Sequence, residues 1–107
     1  MKQQRQISGQ QGDIYEEAAE CLRTIAHPTR LRIIGLLLDG PKTVGELALA
    51  CGIPSSQASE HLRLLKDRGL LACSRKGRFI HYRVQEQCLA SIMACIANRF
   101  GEGSQAG

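Results

Sequence analysis

Tryptophan is absent from this chain of 107 residues, and its aromatic side chains are two Tyr and two Phe. A core must therefore be assembled from Leu, Ile, Val, Ala and Cys. Long apolar runs are missing too. No stretch approaches the ~18 consecutive apolar residues that span a membrane, so no membrane partner is expected. The first twelve residues, rich in Gln, Ser and Gly, lack the apolar segment of a secretory leader. Five cysteines without such a leader point to reduced thiols in the cytoplasm, not to a disulfide scaffold. Catalytic signatures are wanting as well. There is no Gly-rich phosphate loop, no nucleophile elbow and no Cys-x-x-Cys, and the cysteines have no evident activating partner. Neither an enzyme nor a cofactor is expected. The length allows one domain with no room for a second, catalytic one. Small domains bury a lower fraction of their surface, so part of the apolar surface is expected to be hidden against a second copy.

What the chain does carry is unevenly placed charge. The net charge is +4. Asp13, Glu16, Glu17 and Glu20 occupy a stretch without a base. From Ser55 to Arg83, by contrast, Arg63, Lys66, Arg68, Arg75, Lys76, Arg78 and Arg83 outnumber Glu60 and Asp67. Localised positive charge of this kind is the footprint of a nucleic-acid partner, although a solvated face has the same composition.

Apolar spacing divides the chain into five helices and a hairpin. Residues 1–12 and 102–107 are polar and Gly-rich and read as flexible tails around a domain over 13–101. Ile14, Ala18, Cys21, Leu22 and Ile25 form one face of a first helix, with Asp13 and Glu16 resembling a capping box. His27-Pro28 ends it, and Pro28 starts a second helix that stops at Asp39-Gly40-Pro41. Thr43-Val44-Gly45-Glu46 reads as a Thr cap with Glu at the third helical position, opening a third helix over Val44–Cys51. Gly52, Ile53 and Pro54 make a turn. A fourth helix then runs over Ser55–Arg68, with Ala58, Leu62 and Leu65 inward. Beyond Gly69 the period changes: Leu70–Arg75 and Phe79–Val84 read as two strands joined by Lys76-Gly77-Arg78. A fifth helix over Glu86–Phe100 carries Leu89, Ile92, Met93, Ile96 and Phe100 on one stripe. The fold class expected is mainly α with a small β-hairpin.

The third and fourth helices, joined by a short turn with Gly, have the form of a helix-turn-helix, whose second helix enters the major groove. Ala48, Gly52 and Ala58 are the small inner residues that close crossing requires. The outer face of the fourth helix carries Ser55, Ser56, Gln57, Ser59 and Glu60, with His61 and Arg63 one turn on. Gln57 suits a bidentate contact to adenine, and the serines suit bases or phosphates. Arg63 and Lys66 are placed to neutralise backbone charge. Taken alone, this is also the make-up of an ordinary capped surface helix. The basic hairpin tip, Arg75, Lys76 and Arg78 about Gly77, adds the composition of a wing, since narrow minor grooves attract Arg.

Four segments carry a resemblance: His27-Pro28-Thr29-Arg30-Leu31-Arg32-Ile33, Thr43-Val44-Gly45-Glu46-Leu47-Ala48, Ser59-Glu60-His61-Leu62-Arg63-Leu64-Leu65 and Gly77-Arg78-Phe79-Ile80-His81-Tyr82. Together, in order and spacing, they resemble the ArsR/SmtB family from about Glu17 to Phe100. The resemblance implies a winged helix-turn-helix homodimer joined through its first and last helices, and a repressor released from a pseudo-palindromic DNA operator by an effector. It also implies DNA contacts by Thr43 beside the fourth-helix and wing residues already named. A winged-helix protein–protein adaptor is the rival reading, since function does not follow from fold.

The sensing sites that the resemblance implies are altered. The thiolate pair many relatives carry at the third helix falls on Thr43 and Gly45. Ligands of the zinc-type sensors fall near Glu86, Cys88, Arg99 and Glu102, and an Arg is incompatible with a four-coordinate zinc site. The thiol pair of persulfide sensors falls on Gly35 and Gly101. No metal site is therefore expected, and neither is a His-based one: no His pair has i, i+4 spacing, His27 belongs to a structural turn, and His81 stands alone on a strand beside Tyr82. What remains is Cys21 on the first helix and Cys88 and Cys95, seven apart on the last. With those helices meeting at a dimer interface, Cys21 and Cys95 form a candidate thiol switch by disulfide or polysulfide, which needs Cα atoms within about 7 Å. Cys21, Cys88 and Cys95 could alternatively hold arsenite or another thiophilic ion. Free Cys is equally a small core hydrophobe, and Cys51 and Cys73 sit where core residues belong.

Overall fold

The computed structural model describes residues 12–101. The element order is α1 (Gly12–Ile25), α2 (Pro28–Leu37), β1 (Lys42–Thr43), α3 (Val44–Cys51), α4 (Ser55–Asp67), β2 (Leu71–Lys76), β3 (Phe79–Val84) and α5 (Cys88–Phe100). The tails read from composition fall outside the described residues, save Gly12, which opens α1. That places Asp13 inside the first turn, where its carboxylate faces the positive end of the helix, and not at the capping position.

Local chemistry sets the α3–α4 pair. Both arms of a capping box close at the start of α3: Glu46 N–H donates to Thr43 Oγ1 at 3.2 Å, and Thr43 N–H donates to Glu46 Oε1 at 2.9 Å. Gly52 ends α3 with φ +67°, a left-handed conformation that costs glycine nothing. Pro54 precedes α4, and on that helix Ala58, Leu62 and Leu65 are wholly buried, as their spacing predicts.

The apolar core joins Ile25 of α1, Ile33, Ile34 and Leu37 of α2, Leu47 of α3, Leu62 and Leu65 of α4, Leu70, Leu71 of β2 and Leu89 of α5. Six of these (Ile33, Ile34, Leu47, Leu62, Leu65 and Leu89) are fully buried, each worth roughly 1.5–3 kcal/mol relative to exposure. Aliphatic side chains thus do the work that aromatic ones do in other domains of this size. The four aromatics lie at or near the surface, Tyr15 and Phe100 being about three-quarters exposed at 74% and 75%.

The sheet has three antiparallel strands in the order β1-β3-β2. The hairpin alone was expected; β1 adds Lys42 opposite Tyr82 and Thr43 opposite His81. Lys76 faces Phe79 across the β2–β3 turn, leaving Gly77 and Arg78 as the two central residues. Gly77 has φ +64° and Arg78 does not share the positive φ, since no non-glycine residue among those described has one, the pattern of a type II′ turn, whose twist matches that of the strands. At the other end, α5 begins two residues later than its periodicity suggests. Glu86 stands ahead of the helix, and its carboxylate accepts the Cys88 N–H at 3.2 Å.

Candidate nucleic-acid interface

The helix α4 presents two faces of opposite character. Ala58, Leu62 and Leu65 are buried, whereas Ser55, Ser56, Gln57, Glu60, Arg63 and Lys66 are exposed and Ser59 is half-buried. Pro54 supplies no side-chain cap; the Gln57 N–H donates to the Pro54 carbonyl at 3.0 Å, and the Ser55 and Ser56 N–H groups ahead of it face the helix end, a geometry that suits phosphate. Short side chains at that end let a groove wall approach closely.

The wing lies beside this face. Arg75, Lys76 and Arg78 are exposed. Arg75 reaches back to the Gly77 carbonyl at 3.5 Å, and the Arg78 guanidinium sits 5.8 Å from the centre of the Phe79 ring. Thr43, Val44 and Gly45 share a cleft of about 270 Å³ with Arg78, Phe79 and Ile80, so the start of α3 and the wing tip form one surface. Arg63 joins that surface to the sheet, since its charge acts on the Tyr82 hydroxyl. Burial first, then Cys73, pushes the Tyr82 hydroxyl above the usual phenol range, and Arg63 opposes this. Thr43 is half-buried with its oxygen already accepting from Glu46, which leaves its hydroxyl hydrogen for an outside acceptor.

The ion pairs lie away from this surface. Among the described residues the side-chain ion pairs are Arg23–Glu20 at 3.1 Å and Arg68–Glu20 at 3.0 Å. Neither involves Arg63, Lys66, Arg75, Lys76 or Arg78. The acidic stretch lies on α1, where Asp13, Glu16, Glu17, Glu20, Cys21 and Arg68 line an open cavity of about 550 Å³. The two arginines hold the Glu20 carboxyl below its usual range, the Arg68 hydrogen bond contributing most.

His61, grouped with the DNA-facing residues on its spacing, is turned toward α2. It is half-buried, accepts a hydrogen bond from Arg30 and packs on His27. His27 is structural, as its turn suggests: Nδ1 accepts the Thr29 N–H at 3.1 Å and caps α2. Glu20 and Arg68 were read from sequence only as members of the acidic and basic stretches, and the contacts of Arg30 were not read at all. The only signal for Arg30 was its place in His27-Pro28-Thr29-Arg30.

All five thiols are free. Cys51 and Cys21 pack against the core, while Cys88 and Cys95 are exposed. Cys21 and Cys88 come close enough across α1 and α5 to act on each other electrostatically. Local desolvation first, then the Glu86 carboxylate and Cys21, pushes the Cys88 thiol up, although the residue as a whole is exposed. Cys95 lies two turns along α5 from Cys88, a rise of about 10 Å. Among the described residues no three His, Cys, Asp or Glu side chains converge to hold a metal ion. At Gly35 a Cβ would meet Met93 Cε at 3.5 Å, and at Gly101 it would lie 2.5 Å from the Ala97 carbonyl oxygen. The second position therefore takes no side chain in this backbone conformation. His81 Nδ1 is buried with no hydrogen-bond partner among the described residues. No helix among them is long and apolar enough to cross a membrane.

Comparison with known proteins agrees with this geometry. A helix-turn-helix domain family matches residues 25–74. The chain is 34% identical over 84 residues to the HTH-type transcriptional regulator YgaV of Escherichia coli (strain K12), covering 78% of this chain and 85% of that one. It is 34% identical over 90 residues to the HTH-type transcriptional repressor SmtB of Mycobacterium tuberculosis, covering 84% of this chain and 67% of that one. A solved homodimeric winged helix-turn-helix DNA-binding domain from Mycobacterium bovis superposes with a TM-score of 0.79 at 27% identity, over 100% of this chain and 96% of that one.

Proposed function

Because the chain belongs to the ArsR/SmtB family of helix-turn-helix transcriptional regulators, which are not enzymes, we propose that it is a homodimeric cytoplasmic repressor of a pseudo-palindromic operator. In this reading Ser55, Ser56, Gln57, Ser59 and Glu60 read base edges in the major groove. Arg63, Lys66, Arg75, Lys76, Arg78 and the Thr43 hydroxyl hold phosphates or the adjacent minor groove. The observation that carries it is the set of exposed bases on α4 and the wing, none engaged in an ion pair among the described residues. The solvent-facing Tyr15 and Leu22 of α1 and Phe100 of α5 favour pairing of two copies through those helices, which sets two reading helices on one face of the duplex.

Selection from a random duplex pool tests the reading. Enriched sites should be inverted repeats with half-sites about 10 base pairs apart, and affinity should fall steeply with salt. No enrichment, or a salt-independent affinity, would favour a protein–protein adaptor.

For release, we assign the effector response to the α1 and α5 thiols, with Cys21 and Cys95 as the bridging pair and Cys88 beside Cys21. Two thiols joining as a disulfide pass two hydrogens to a hydroperoxide, which leaves as an alcohol and water. Arsenite held by Cys21, Cys88 and Cys95 is the competing chemistry, and it would need a side-chain rearrangement or a partner's thiol, because no such set converges within one chain among the described residues. Cys21→Ser, Cys88→Ser and Cys95→Ser, titrated with peroxide, polysulfide and arsenite on the operator complex, separate the two. Release unchanged in all three variants removes the thiol reading.

A further inference from the structure

Arg30 is where three helices meet. It lies on α2, half-buried. Its Nη1 donates to the Thr24 carbonyl, in the last turn of α1, at 3.0 Å. Its Nε donates to Nδ1 of His61, 31 residues away on α4, at 3.2 Å. Both anchor points are themselves fixed. Thr24 is buried, and its hydroxyl donates to the Glu20 carbonyl at 3.0 Å. The His61 ring packs on the His27 ring with centroids 4.8 Å apart, and His27 is the cap of α2. A guanidinium has donors and no acceptor. The Nδ1 of His61 must therefore offer a lone pair, which puts the imidazole in its neutral form with the proton on Nε2.

We infer that Arg30 is a positioning residue for the reading helix, and that its hold on α4 lasts only while His61 is uncharged.

The surroundings maintain that condition at neutral pH. Burial first, then His27 from the turn before α2 and Arg30 from α2, holds His61 below the usual imidazole range, against a smaller upward pull from Glu60 on its own helix. Acidification through the folded value puts a proton on Nδ1, removes the acceptor and sets a second cation against Arg30. The α4 helix then keeps its apolar seat but loses a polar tie to α1 and α2. Since protonation also adds positive charge near the duplex, non-specific affinity does not fall. The consequence is a loss of discrimination between operator and random DNA.

The inference rests on the DNA-reading function proposed above, and the two fail separately. Absence of any specific complex at pH 7.5 defeats that function. A specific complex whose discrimination ignores pH defeats this inference. We expect the operator-to-random affinity ratio of the wild-type dimer to fall about thirtyfold between pH 7.5 and pH 5, the worth of two net hydrogen bonds, one in each subunit. His61→Asn keeps an acceptor near Nδ1 that does not titrate, at similar helix propensity, so its ratio should stay level. Arg30→Met should have the lowered ratio already at pH 7.5 and no further fall. An undiminished acid response in His61→Asn, or a wild-type ratio in folded Arg30→Met, overturns the proposal. A readout free of DNA completes the test: long-range proton–nitrogen NMR of the protein alone must show His61 as the Nε2–H tautomer at pH 7.5, and a Nδ1–H tautomer there is equally fatal.

Discussion

Replacing Arg78 by Gln asks directly whether the wing lies on DNA. The residue is exposed at the hairpin tip, makes no ion pair among the described residues, and holds its guanidinium 5.8 Å from the centre of the Phe79 ring. An exposed cation–π contact is worth about 0.5–1 kcal/mol, so the fold should survive the change. A homodimer carries the substitution twice. Each phosphate neutralisation contributes about −0.9 to the slope of log affinity against log salt, so the variant slope should be shallower by about 1.8. Between 50 and 200 mM salt, the wild-type advantage over the variant should then shrink roughly twelvefold. Fluorescence anisotropy of a labelled operator across that salt range measures both slopes. Arg23→Gln is the control: it removes the same charge from α1, where Arg23 pairs with Glu20, and should leave the slope alone. If Arg78→Gln and wild type run parallel, the wing is off the duplex. If Arg23→Gln shifts the slope as much as Arg78→Gln does, net charge and not placement governs binding.

Gly35→Ala should stabilise the fold by about 0.5–1 kcal/mol in urea titration, because a mid-helix glycine is replaced by a good helix former and the new Cβ meets Met93 Cε at an ordinary 3.5 Å. A loss of stability would show that α2 and α5 pack more tightly there than described. Thr43→Ala removes one arm of the α3 capping box and should cost ~1 kcal/mol, with Thr43→Ser close to wild type; equal melts for all three would discount the cap. The other arm is pH-sensitive. The Thr43 backbone N–H holds the Glu46 carboxyl below its usual 4.5, a hydrogen bond outweighing a small opposing burial. Its contribution is therefore present above the unfolded carboxyl value and disappears as pH falls through the folded one. Glu46→Gln should accordingly flatten the acid limb of the stability curve below about pH 4.5, and an unchanged limb would assign that limb to other carboxyls.

How much of this was legible beforehand depended on how far apart the partners lie in sequence. The bounds of α3 followed from Thr43, Glu46 and Gly52, three residues whose capping hydrogen bonds all fall within one short helix. The buried seam of α4 followed from the spacing of Ala58, Leu62 and Leu65. The wing followed from bases clustered about Gly77. The strand β1 did not: two residues are too few to alternate, and Lys42 and Thr43 become a strand only because Tyr82 and His81 lie opposite. The start of α5 slipped because Glu86 has the propensity of a helix residue but serves as a hydrogen-bond acceptor ahead of the helix. Periodicity places an apolar face and says nothing of a polar side chain's partner across the fold. His61 is the instructive case. Its position on α4 allowed either packing at the helix-turn-helix or a phosphate contact, and only the tertiary structure gives it Arg30 as a partner.

The long-range polar contacts also decide how a change at α1 could be felt at α4. Among the described residues, side-chain hydrogen bonds connect α1 with α4 by two routes, Glu20 to Arg68 at the end of α4 and Thr24 through Arg30 to His61. The first lies in solvent with both partners substantially exposed, where an ion pair is worth little and weakens with salt. The second is part-buried, directed at both ends, and grips the middle of the reading helix instead of its end. At the ionic strength of a cell the second tie must carry most of any polar coupling. Cys21 follows Glu20 directly on α1, beside the Glu20–Arg68 pair in the same cavity, and Thr24 comes three residues later. A thiol reaction that rotates or shifts α1 would thus pull on the Thr24 carbonyl and, through Arg30, on His61. Under the thiol reading of release, Arg30→Met should uncouple the two: the variant would still be modified at Cys21 yet would give up the operator less completely. Mass spectrometry of the modified protein, with operator affinity measured on the same sample, distinguishes that outcome from a thiol that is simply unreactive.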